Sequence, residues 1–204
     1  MRRIQGRRCL DLDTHALVQM ARASSSTLVD LGTGDGRFVA QVARARPEGV
    51  AIGIDACQEN LIEQSRRAPE NAVFLVANAL TLPLELVEIA TRLTINFPWG
   101  SLLAGLLEER AFHERLALLA RPGATLEICL NGGALAEAGL ALEAGAARIR
   151  HNLRAAGFAL PPPRAWGGSE LRGFPSTWGH RLAFGRDPRA IFLAGNRLGE
   201  ANRE

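Results

Sequence analysis

The sequence contains no lysine and no tyrosine, only three cysteines, and no long apolar segment. Cys9, Cys57 and Cys129 lie far apart, without the paired spacing of a zinc site or the density of a disulfide scaffold. No apolar run approaches the ~20 residues that cross a bilayer, and the basic N-terminus lacks the apolar core of a signal peptide. These absences exclude membrane-spanning, secreted and zinc-stapled proteins, and we expect a cytoplasmic protein with no metal.

Length and composition are those of one globular domain. The chain has 204 residues, of which 47% are hydrophobic and 22% charged. A chain of this size buries about 70% of its unfolded surface, so it folds without a disulfide or a bound metal. We expect a monomer with a single domain over residues 1–204, in which residues 1–10 form a basic arm folded as a β-hairpin.

Every one of the 24 basic residues is arginine, and their distribution is uneven. Residues 148–204 carry ten arginines against four acidic residues, whereas residues 1–147 carry fourteen against seventeen. Four arginines fall within the first eight residues, namely Arg2, Arg3, Arg7 and Arg8. Basic segments at both ends of a near-neutral body favour a protein that binds a polyanion, although scattered solvated charge would give similar counts.

Apolar strand-like runs alternate with helical segments along most of the chain. We predict strands at Thr27–Leu31, Val50–Asp55, Ala72–Ala77, Leu93–Phe97, Thr125–Leu130, near Phe158 and at Ala190–Ala194. We predict helices at Thr14–Arg22, Arg37–Arg46, Gln58–Arg67, Leu102–Leu119 and about Ala134–Ala156. This alternation indicates an α/β fold with a doubly wound, mostly parallel seven-stranded sheet and an antiparallel terminal hairpin, in which ligands bind at the carboxyl ends of the strands.

A glycine-rich motif follows the first of these strands and precedes a helix. Its spacing, Gly32-Thr33-Gly34-Asp35-Gly36, is G-x-G-x-G rather than the G-x-G-x-x-G that binds a dinucleotide. Asp35 would repel a pyrophosphate but suits a ligand with an amino group and a sulfonium centre, and Asp55 can accept the hydroxyls of a ribose. We therefore predict S-adenosyl-L-methionine as the cofactor, with S-adenosyl-L-homocysteine as product. The motif contributes Asp30, Gly32, Thr33, Gly34, Asp35, Gly36, Asp55 and Ala56 as cofactor-binding residues.

Two tryptophans stand in segments that suit recognition of a nucleobase. Asn96-Phe97-Pro98-Trp99 follows the fourth strand and allows three interpretations: a core plug, a variant of the Asn-Pro-Pro-aromatic loop of N6-adenine methyltransferases, or a stacking plate for a flipped base. Trp178 lies among arginines in what we expect to be a loop before the last strand. Aromatic and basic residues together are typical of base stacking and phosphate contact. Trp166 is expected to pack.

The chain resembles the aminoglycoside-resistance 16S rRNA methyltransferases that modify N1 of the decoding-site adenine in helix 44. The resemblance runs nearly end to end. It rests on the basic arm, Asp30–Arg37, Ile52–Asp55, Leu82-Pro83, Phe97–Leu103 and Ser176–Arg186. The chain departs from the family at Leu80, where relatives carry an acidic residue, and in shorter linkers after Arg67 and over 132–148.

The resemblance implies a role for each matching residue. Trp99 and Trp178 would sandwich the flipped adenine and act as the catalytic residues. The cofactor site would also include Ala79, Ser101 and Ser176. Ribosomal RNA in the 30S subunit would be bound by Arg66, Arg67, Arg181, Arg186 and Arg189, together with the arginines of the arm.

The chemistry expected from such a target is simple. N1 of an unpaired adenine has a free lone pair and no proton to lose, so the enzyme needs no general base and acts by proximity and orientation. An N6 enzyme would instead need an acceptor such as Asn96, which we regard as incidental. The alternatives that remain are an N6-adenine or other RNA methyltransferase, a cofactor-binding relative without rRNA activity, and a small-molecule methyltransferase.

Overall fold

One mixed β-sheet runs through the computed structural model, which describes residues 1–185 and 187–199. Its strands are β1 (Arg2–Gln5), β2 (Arg8–Asp11), β3 (Thr27–Leu31), β4 (Val50–Asp55), β5 (Ala72–Val76), β6 (Ala90–Asn96), β7 (Ala120–Asn131), β8 (Phe158–Ala159), β9 (Arg164–Trp166) and β10 (Ala190–Arg197). The helices are α1 (Thr14–Ala23), α2 (Arg37–Ala45), α3 (Gln58–Arg67), α4 (Gly100–Glu108), α5 (Arg110–Leu119), α6 (Gly132–Glu137), α7 (Leu142–Ala155), α8 (Gly168–Gly173) and α9 (Thr177–Ala183). A 3-10 turn lies at Ala79–Thr81.

The strand order over the described part of the chain is β2-β1-β5-β4-β3-β6-β7-β10-β8, and β9 also pairs with β10. Strands β3 to β7 pair in parallel, whereas β10 lies antiparallel to β7. The predicted α/β class and mostly parallel sheet are therefore confirmed. The described residues form ten strands rather than the seven predicted, because the hairpin β1–β2 extends one edge and two short strands, β8 and β9, share the position beside β10.

Two helices predicted as continuous are each broken in two. The backbone of Glu109 is extended, and this separates α4 from α5. The second break follows α6, where Gly139 has a φ of 75°. There the Leu140 N–H donates to the Leu135 carbonyl and the Gly139 N–H to the Ala136 carbonyl, which is a Schellman motif. Apolar periodicity continues through both breaks, so the sequence pattern alone did not reveal them.

Helices cover both sides of the sheet. The cluster that contains α2 and α3 packs on one side, and the larger cluster that contains α1, α4, α5 and α7 packs on the other. All five residues of β3 are buried, as expected of a parallel strand covered on both faces. Helices α8 and α9 join the α2 side through Phe174, which packs against both neighbouring clusters. In the described residues no helix is long and apolar enough to span a membrane.

Candidate active site

A cleft of about 270 Å³ opens at the carboxyl ends of β3, β4, β5 and β6. This is where the predicted topology places a ligand. The structure brings ten of the eleven predicted cofactor-binding residues to its walls, and the two predicted catalytic tryptophans lie there as well. These residues are Asp30, Gly32, Thr33, Gly34, Asp35, Asp55, Ala56, Ala79, Ser101, Ser176, Trp99 and Trp178.

The glycine-rich loop adopts backbone angles that other residues rarely reach. Gly34 has a φ of 58°, and a Cβ at this position would meet no atom within 4 Å, so the loop leaves free space on its cleft side. Gly36, the eleventh predicted residue, does not line the cleft. Its φ is 73°, and a Cβ there would lie 2.4 Å from the ring of Phe74. Gly36 therefore permits close packing of the loop on β5, a structural reason for a glycine at the start of α2.

Asp55 ends β4 and fixes the shape of the loop. Its Oδ2 accepts a hydrogen bond of 2.8 Å from the Gly34 N–H, and its Oδ1 accepts one of 2.9 Å from the Cys57 N–H. A carboxylate offers about four lone-pair positions. Asp55 can therefore hold the loop and still accept hydroxyl groups from a ligand in the cleft.

Asp30 is a buried carboxylate at the base of the cleft. Its Oδ1 accepts hydrogen bonds of 2.6 Å from the Thr94 hydroxyl and 2.9 Å from the Asn96 side-chain amide. Burial raises the pKa of Asp30 from 3.8 to about 6. The hydrogen bonds from these donors and the charge of Arg92 lower the pKa, but their effect is smaller than that of burial. The hydrogen bond from Asn96 helps to position the Asp30 carboxylate. The sequence did not predict this role, since we regarded Asn96 as incidental.

A strained turn carries Trp99 out of the sheet. Phe97 directly follows β6 and has a φ of 53°, although a bulky residue before proline normally stays extended. The Phe97 N–H donates to the Cys129 carbonyl at 2.8 Å, and its ring packs edge-on against Phe174 at 5.3 Å. These contacts hold the strained backbone and direct Trp99, 43% exposed, to the mouth of the cleft.

Trp178 lies on helix α9 rather than in the loop that we predicted. The Ser176 hydroxyl caps this helix by accepting from the Gly179 N–H at 2.9 Å. Phe174, just before the cap, stacks on Phe38 of α2 at 5.4 Å. Phe174 thus anchors the chain about one turn before Trp178. Because the backbone hydrogen bonds of α9 leave few alternative conformations, the helix fixes the Trp178 indole more firmly than a loop would.

The two tryptophans face each other across the mouth of the cleft. Their ring centroids are 6.1 Å apart and their planes differ by 20°. Carbon atoms in contact lie about 3.5–4.0 Å apart, so a base between two indoles requires a spacing of roughly 7–8 Å. The rings therefore stand about 1–2 Å closer than a sandwich needs, and a small outward movement of either side chain admits a planar ring.

Asp35 makes a contact that the sequence did not reveal. Its Oδ2 accepts a hydrogen bond from the hydroxyl of Thr177, and its Oδ1 accepts from the Arg37 N–H at 3.2 Å. Thr177 is the first residue of α9 and the neighbour of Trp178. The glycine-rich loop is thus tied directly to the helix that carries one of the two indoles.

The predicted RNA-binding arginines lie in two groups. The hairpin turn packs on α3, since the Gly6 N–H donates to the Ser65 hydroxyl at 2.9 Å and a Cβ at Gly6 would lie 2.8 Å from Cγ of Arg66. This brings the arm beside Arg66 and Arg67. The second group is on and after α9.

In the second group, Arg181 lies 5.6 Å above the Trp178 ring, which is a cation–π contact. Arg189 forms a bidentate pair with Asp187, at 2.8 and 3.0 Å. This pair lowers the pKa of the Asp187 carboxyl through the hydrogen bond and charge of Arg189. The charge of Arg189 is therefore already neutralised by Asp187. This makes Arg189 a weaker candidate than an unpaired arginine for binding an RNA phosphate. Arg186 lies outside the described residues.

Comparisons with known proteins agree along nearly the whole chain. The family model NpmA, 16S rRNA (adenine(1408)-N(1))-methyltransferase, matches residues 2–197. The chain is 30% identical to an Escherichia coli 16S rRNA (adenine(1408)-N(1))-methyltransferase over 95% of its own length and 97% of the relative's. The antibiotic-resistance methyltransferase Kmr has a similar structure, with a TM-score of 0.78, 33% identity, and coverage of 98% of this chain and 99% of Kmr.

A third similarity supports the fold alone. A tryptophan-to-alanine mutant of the Catenulisporales acidiphilia 16S rRNA (adenine(1408)-N(1))-methyltransferase, solved with its cosubstrate SAM, is 24% identical and covers 99% of each chain with a TM-score of 0.83. The fold of the chain is therefore shared with that protein.

Proposed function

Because this chain belongs to the 16S rRNA (adenine(1408)-N(1))-methyltransferase family, we propose that it transfers a methyl group to N1 of adenine 1408 within the 30S subunit, holding the base between Trp99 and Trp178. The chain is an S-adenosylmethionine-dependent methyltransferase, as its family match shows. The observation that carries the proposal is the pair of partly exposed, nearly parallel indoles, 6.1 Å apart, at the mouth of the cleft.

The residues of the cleft fit S-adenosylmethionine. Gly34 leaves open space beside the loop, and the carboxylates of Asp55 and Asp35 line the same cleft, although Asp35 is already paired with Arg37 at 3.4 Å. An acidic wall suits a ligand with a cationic amino group. Asp55 Oδ1 accepts from Cys57 and, at 3.5 Å, from Asn60, whereas Oδ2 accepts from Gly34 alone and keeps an acceptor position for a ribose hydroxyl. When bound, this cofactor supplies a methyl group on a positively charged sulfur that is a good leaving group.

The protein's contribution to the reaction is orientation. Bound S-adenosylmethionine would give its methyl group to the N1 lone pair of the adenine and leave as a neutral thioether, which would keep the electron pair of the broken carbon–sulfur bond. No proton moves, so no side chain is needed as a base. The methylated base is cationic, and two indole faces stabilise such a ring by about 1–2 kcal/mol. Trp99 and Trp178 thus bind the charge that develops on the base, while the cleft aligns the reacting atoms.

The family match favours this reaction over methylation at N6. An N6 enzyme needs a side chain that accepts a hydrogen bond from the exocyclic amine. Asn96 was the candidate for this role, but its amide group donates to Asp30 at 2.9 Å, which ties the side chain to the base of the cleft. The bond engages only the NH₂ group of Asn96, so the choice of N1 rests on the family match and on the experiment that follows.

Primer extension on purified 30S subunits tests the proposal directly. A methyl group on N1 blocks Watson–Crick pairing and stops reverse transcriptase, whereas a methyl group on N6 does not. We expect a stop at adenine 1408 that depends on enzyme and cofactor. Reactions without cofactor provide the control. Methyl incorporation without a stop would favour the N6 alternative, and no incorporation into 30S subunits would refute the proposal.

Intact 30S subunits, rather than free 16S rRNA, are the proposed substrate. The hairpin contacts α3, the Arg44 side chain of α2 donates to the Arg67 carbonyl, and Phe174 joins α9 to α2. The arginines of the arm, of α3 and of α9 are therefore carried by elements connected along one side of the sheet. Such a surface suits a shaped RNA target. We propose that the enzyme acts as a monomer and that it works in the cytoplasm, where the ribosome is. Free 16S rRNA serves as the comparison substrate and should be methylated far more slowly.

A further inference from the structure

One large apolar side chain near the cleft has no role in the function described so far. Phe184 directly follows α9, and its side chain is 75% exposed, more than that of Trp99 or Trp178. It belongs to none of the hydrophobic clusters of the described residues. The preceding Ala183 is buried, so the exposure of Phe184 reflects the direction of its side chain and not a loose helix end.

Phe184 continues a row of three residues that begins at Trp178. Trp178, Arg181 and Phe184 are spaced three apart, the spacing that forms a ridge on a helix surface, and all three are exposed. The opposite side of α9 is buried through Gly179 and Ala183. The ridge therefore begins at the mouth of the cleft, where Trp178 faces Trp99, and reaches solvent at Phe184.

The three side chains of this ridge share one chemistry. An indole, a guanidinium and a phenyl ring are flat groups on which nucleobases stack, and the guanidinium also attracts phosphate. The guanidinium carbon of Arg181 already lies 5.6 Å from the Trp178 ring centroid, so these two groups are in cation–π contact in the free protein. Phe184 is the one member of the ridge for which the described residues provide no aromatic or cationic partner.

We propose that Phe184 is an RNA-stacking residue whose ring packs on a base flanking the target adenine, and so stabilises the RNA in the state where the adenine is turned out. The proposal rests on the proposed function, which places the target base against Trp178. Six residues of helix rise about 9 Å. Phe184 is therefore about 9 Å along the helix from the plate that holds the flipped base, a distance that a base flanking the flipped adenine can bridge.

The physical reason for an aromatic group at this place is the cost of base flipping. Turning a base out of its stack costs a few kcal/mol, because its neighbours lose their stacking partner. Proteins that distort nucleic acids commonly offset this cost with an apolar side chain that packs against the unstacked step. The exposed ring of Phe184 has the size, the direction and the adjacent positive charge for such a contact.

Three variants of Phe184 test the proposal on 30S subunits, with Leu118→Ala as the matched control. Leu118 is 44% exposed and lies on α5, on the opposite side of the sheet. We expect Phe184→Ala to lower kcat/KM for methylation about 5- to 150-fold, the range of one base–aromatic stack. Phe184→Trp should retain activity and Phe184→Leu should lose most of it, because stacking requires a flat ring. Leu118→Ala should behave as the wild type.

Two further measurements separate stacking from a structural role. The thermal midpoint and the Kd for S-adenosylhomocysteine should not change in Phe184→Ala, since the ring is exposed and outside the cleft. A parallel loss of stability and cofactor affinity would overturn the proposal, as would full activity of Phe184→Ala or of Phe184→Leu. A dimer in sedimentation that disappears in Phe184→Ala would also overturn it, because the ring would then serve self-association.

The binding of 30S subunits distinguishes failure of this proposal from failure of the proposed function. If the wild type does not methylate 30S subunits, the proposed function is wrong. The stacking proposal is then decided separately, by binding. We measure the affinity for 30S subunits of the wild type and of Phe184→Ala, both with S-adenosylhomocysteine present, and compare the two as a ratio. A ratio near one refutes it, and weaker binding of Phe184→Ala but not of Leu118→Ala supports it.

Discussion

Asp30 should make the free enzyme more stable at mildly acidic pH than at alkaline pH. An aspartate in an unfolded chain has a pKa near 3.9, whereas burial raises the pKa of Asp30 in the folded protein to about 6. A raised folded-state pKa means that the group's stabilising contribution is complete below pH 4 and is lost as the pH rises through 6. One pKa unit corresponds to 1.36 kcal/mol, so keeping Asp30 ionised above pH 7 costs roughly 3 kcal/mol of folding stability.

Asp30→Asn removes this cost with little change of shape. The amide oxygen can accept from Thr94 and Asn96 as the carboxylate does, and the Thr33 hydroxyl, which faces the same group, can accept from the new NH₂. At pH 8 the variant should therefore be more stable than the wild type by up to about 3 kcal/mol. This corresponds to a rise of roughly 6–12 °C in Tm for a protein of this size. At pH 4 the difference should be close to zero.

Thermal unfolding followed by circular dichroism at pH 4–8, without cofactor, measures this difference. Asp11→Asn is the control, because it removes the same charge from an exposed position on β2. Asp11→Asn should leave the pH dependence of Tm as in the wild type. If the Tm of Asp30→Asn followed that of the wild type in parallel across the pH range, burial of the Asp30 charge would not be the source of the pH dependence. We also expect weaker cofactor binding in Asp30→Asn, because Asp30 lines the cleft and substitutions that stabilise a functional site commonly cost function.

Further predictions concern the cleft and the RNA surface. Asp55→Ala should weaken S-adenosylmethionine binding strongly in calorimetry, and normal affinity would remove the ribose assignment. Thr177→Val deletes the hydroxyl that donates to Asp35, so kcat should fall more than cofactor affinity. Thr177→Ser keeps a hydroxyl and should restore kcat. Equal losses of kcat and cofactor affinity in Thr177→Val would contradict a positioning role. Trp99→Ala and Trp178→Ala should each lose about 1–3 kcal/mol of base stacking. The methylation rate of each variant should fall far more than its affinity for 30S subunits. If either tryptophan only packs against the protein, its loss should instead lower stability and cofactor binding together. Binding to 30S subunits should weaken steeply with salt because phosphate contacts release counterions, and salt-insensitive binding would count against the arginine surface.

The glycine-rich loop could be predicted from the sequence because its constraints are local. A buried strand, three glycines and a carboxylate about 20 residues later require one geometry, and the structure places Gly34 and Asp55 in hydrogen-bond contact at 2.8 Å. The parallel sheet could be predicted for a similar reason, since each strand is a short apolar run between amphipathic helices. Both inferences use residues that are close in sequence or share one period.

The contacts that the sequence did not reveal join residues far apart in the chain. Thr177 donates to a carboxylate 142 positions away, and Asn96 donates to one 66 positions away. Hydroxyl and amide side chains have many potential partners, so their type and spacing do not specify which one they find. Trp178 was placed in a loop because proline and glycine surround it, yet the Ser176 cap is sufficient to begin a short helix between them.

The features of the site that contradict local rules are also the ones to which the proposed function assigns a role. Phe97 holds a left-handed backbone, Asp30 is charged and buried, and Trp99 and Trp178 leave large apolar surfaces in water. Each of these conditions is unfavourable alone and persists because neighbouring contacts oppose it. Methylation of a lone pair requires no acid or base, so catalysis depends on where groups are held and how much water they exclude. A rigid sheet that tolerates strain at its carboxyl edge is therefore sufficient machinery for this chemistry, and removing the buried charge of Asp30 should raise stability while lowering activity.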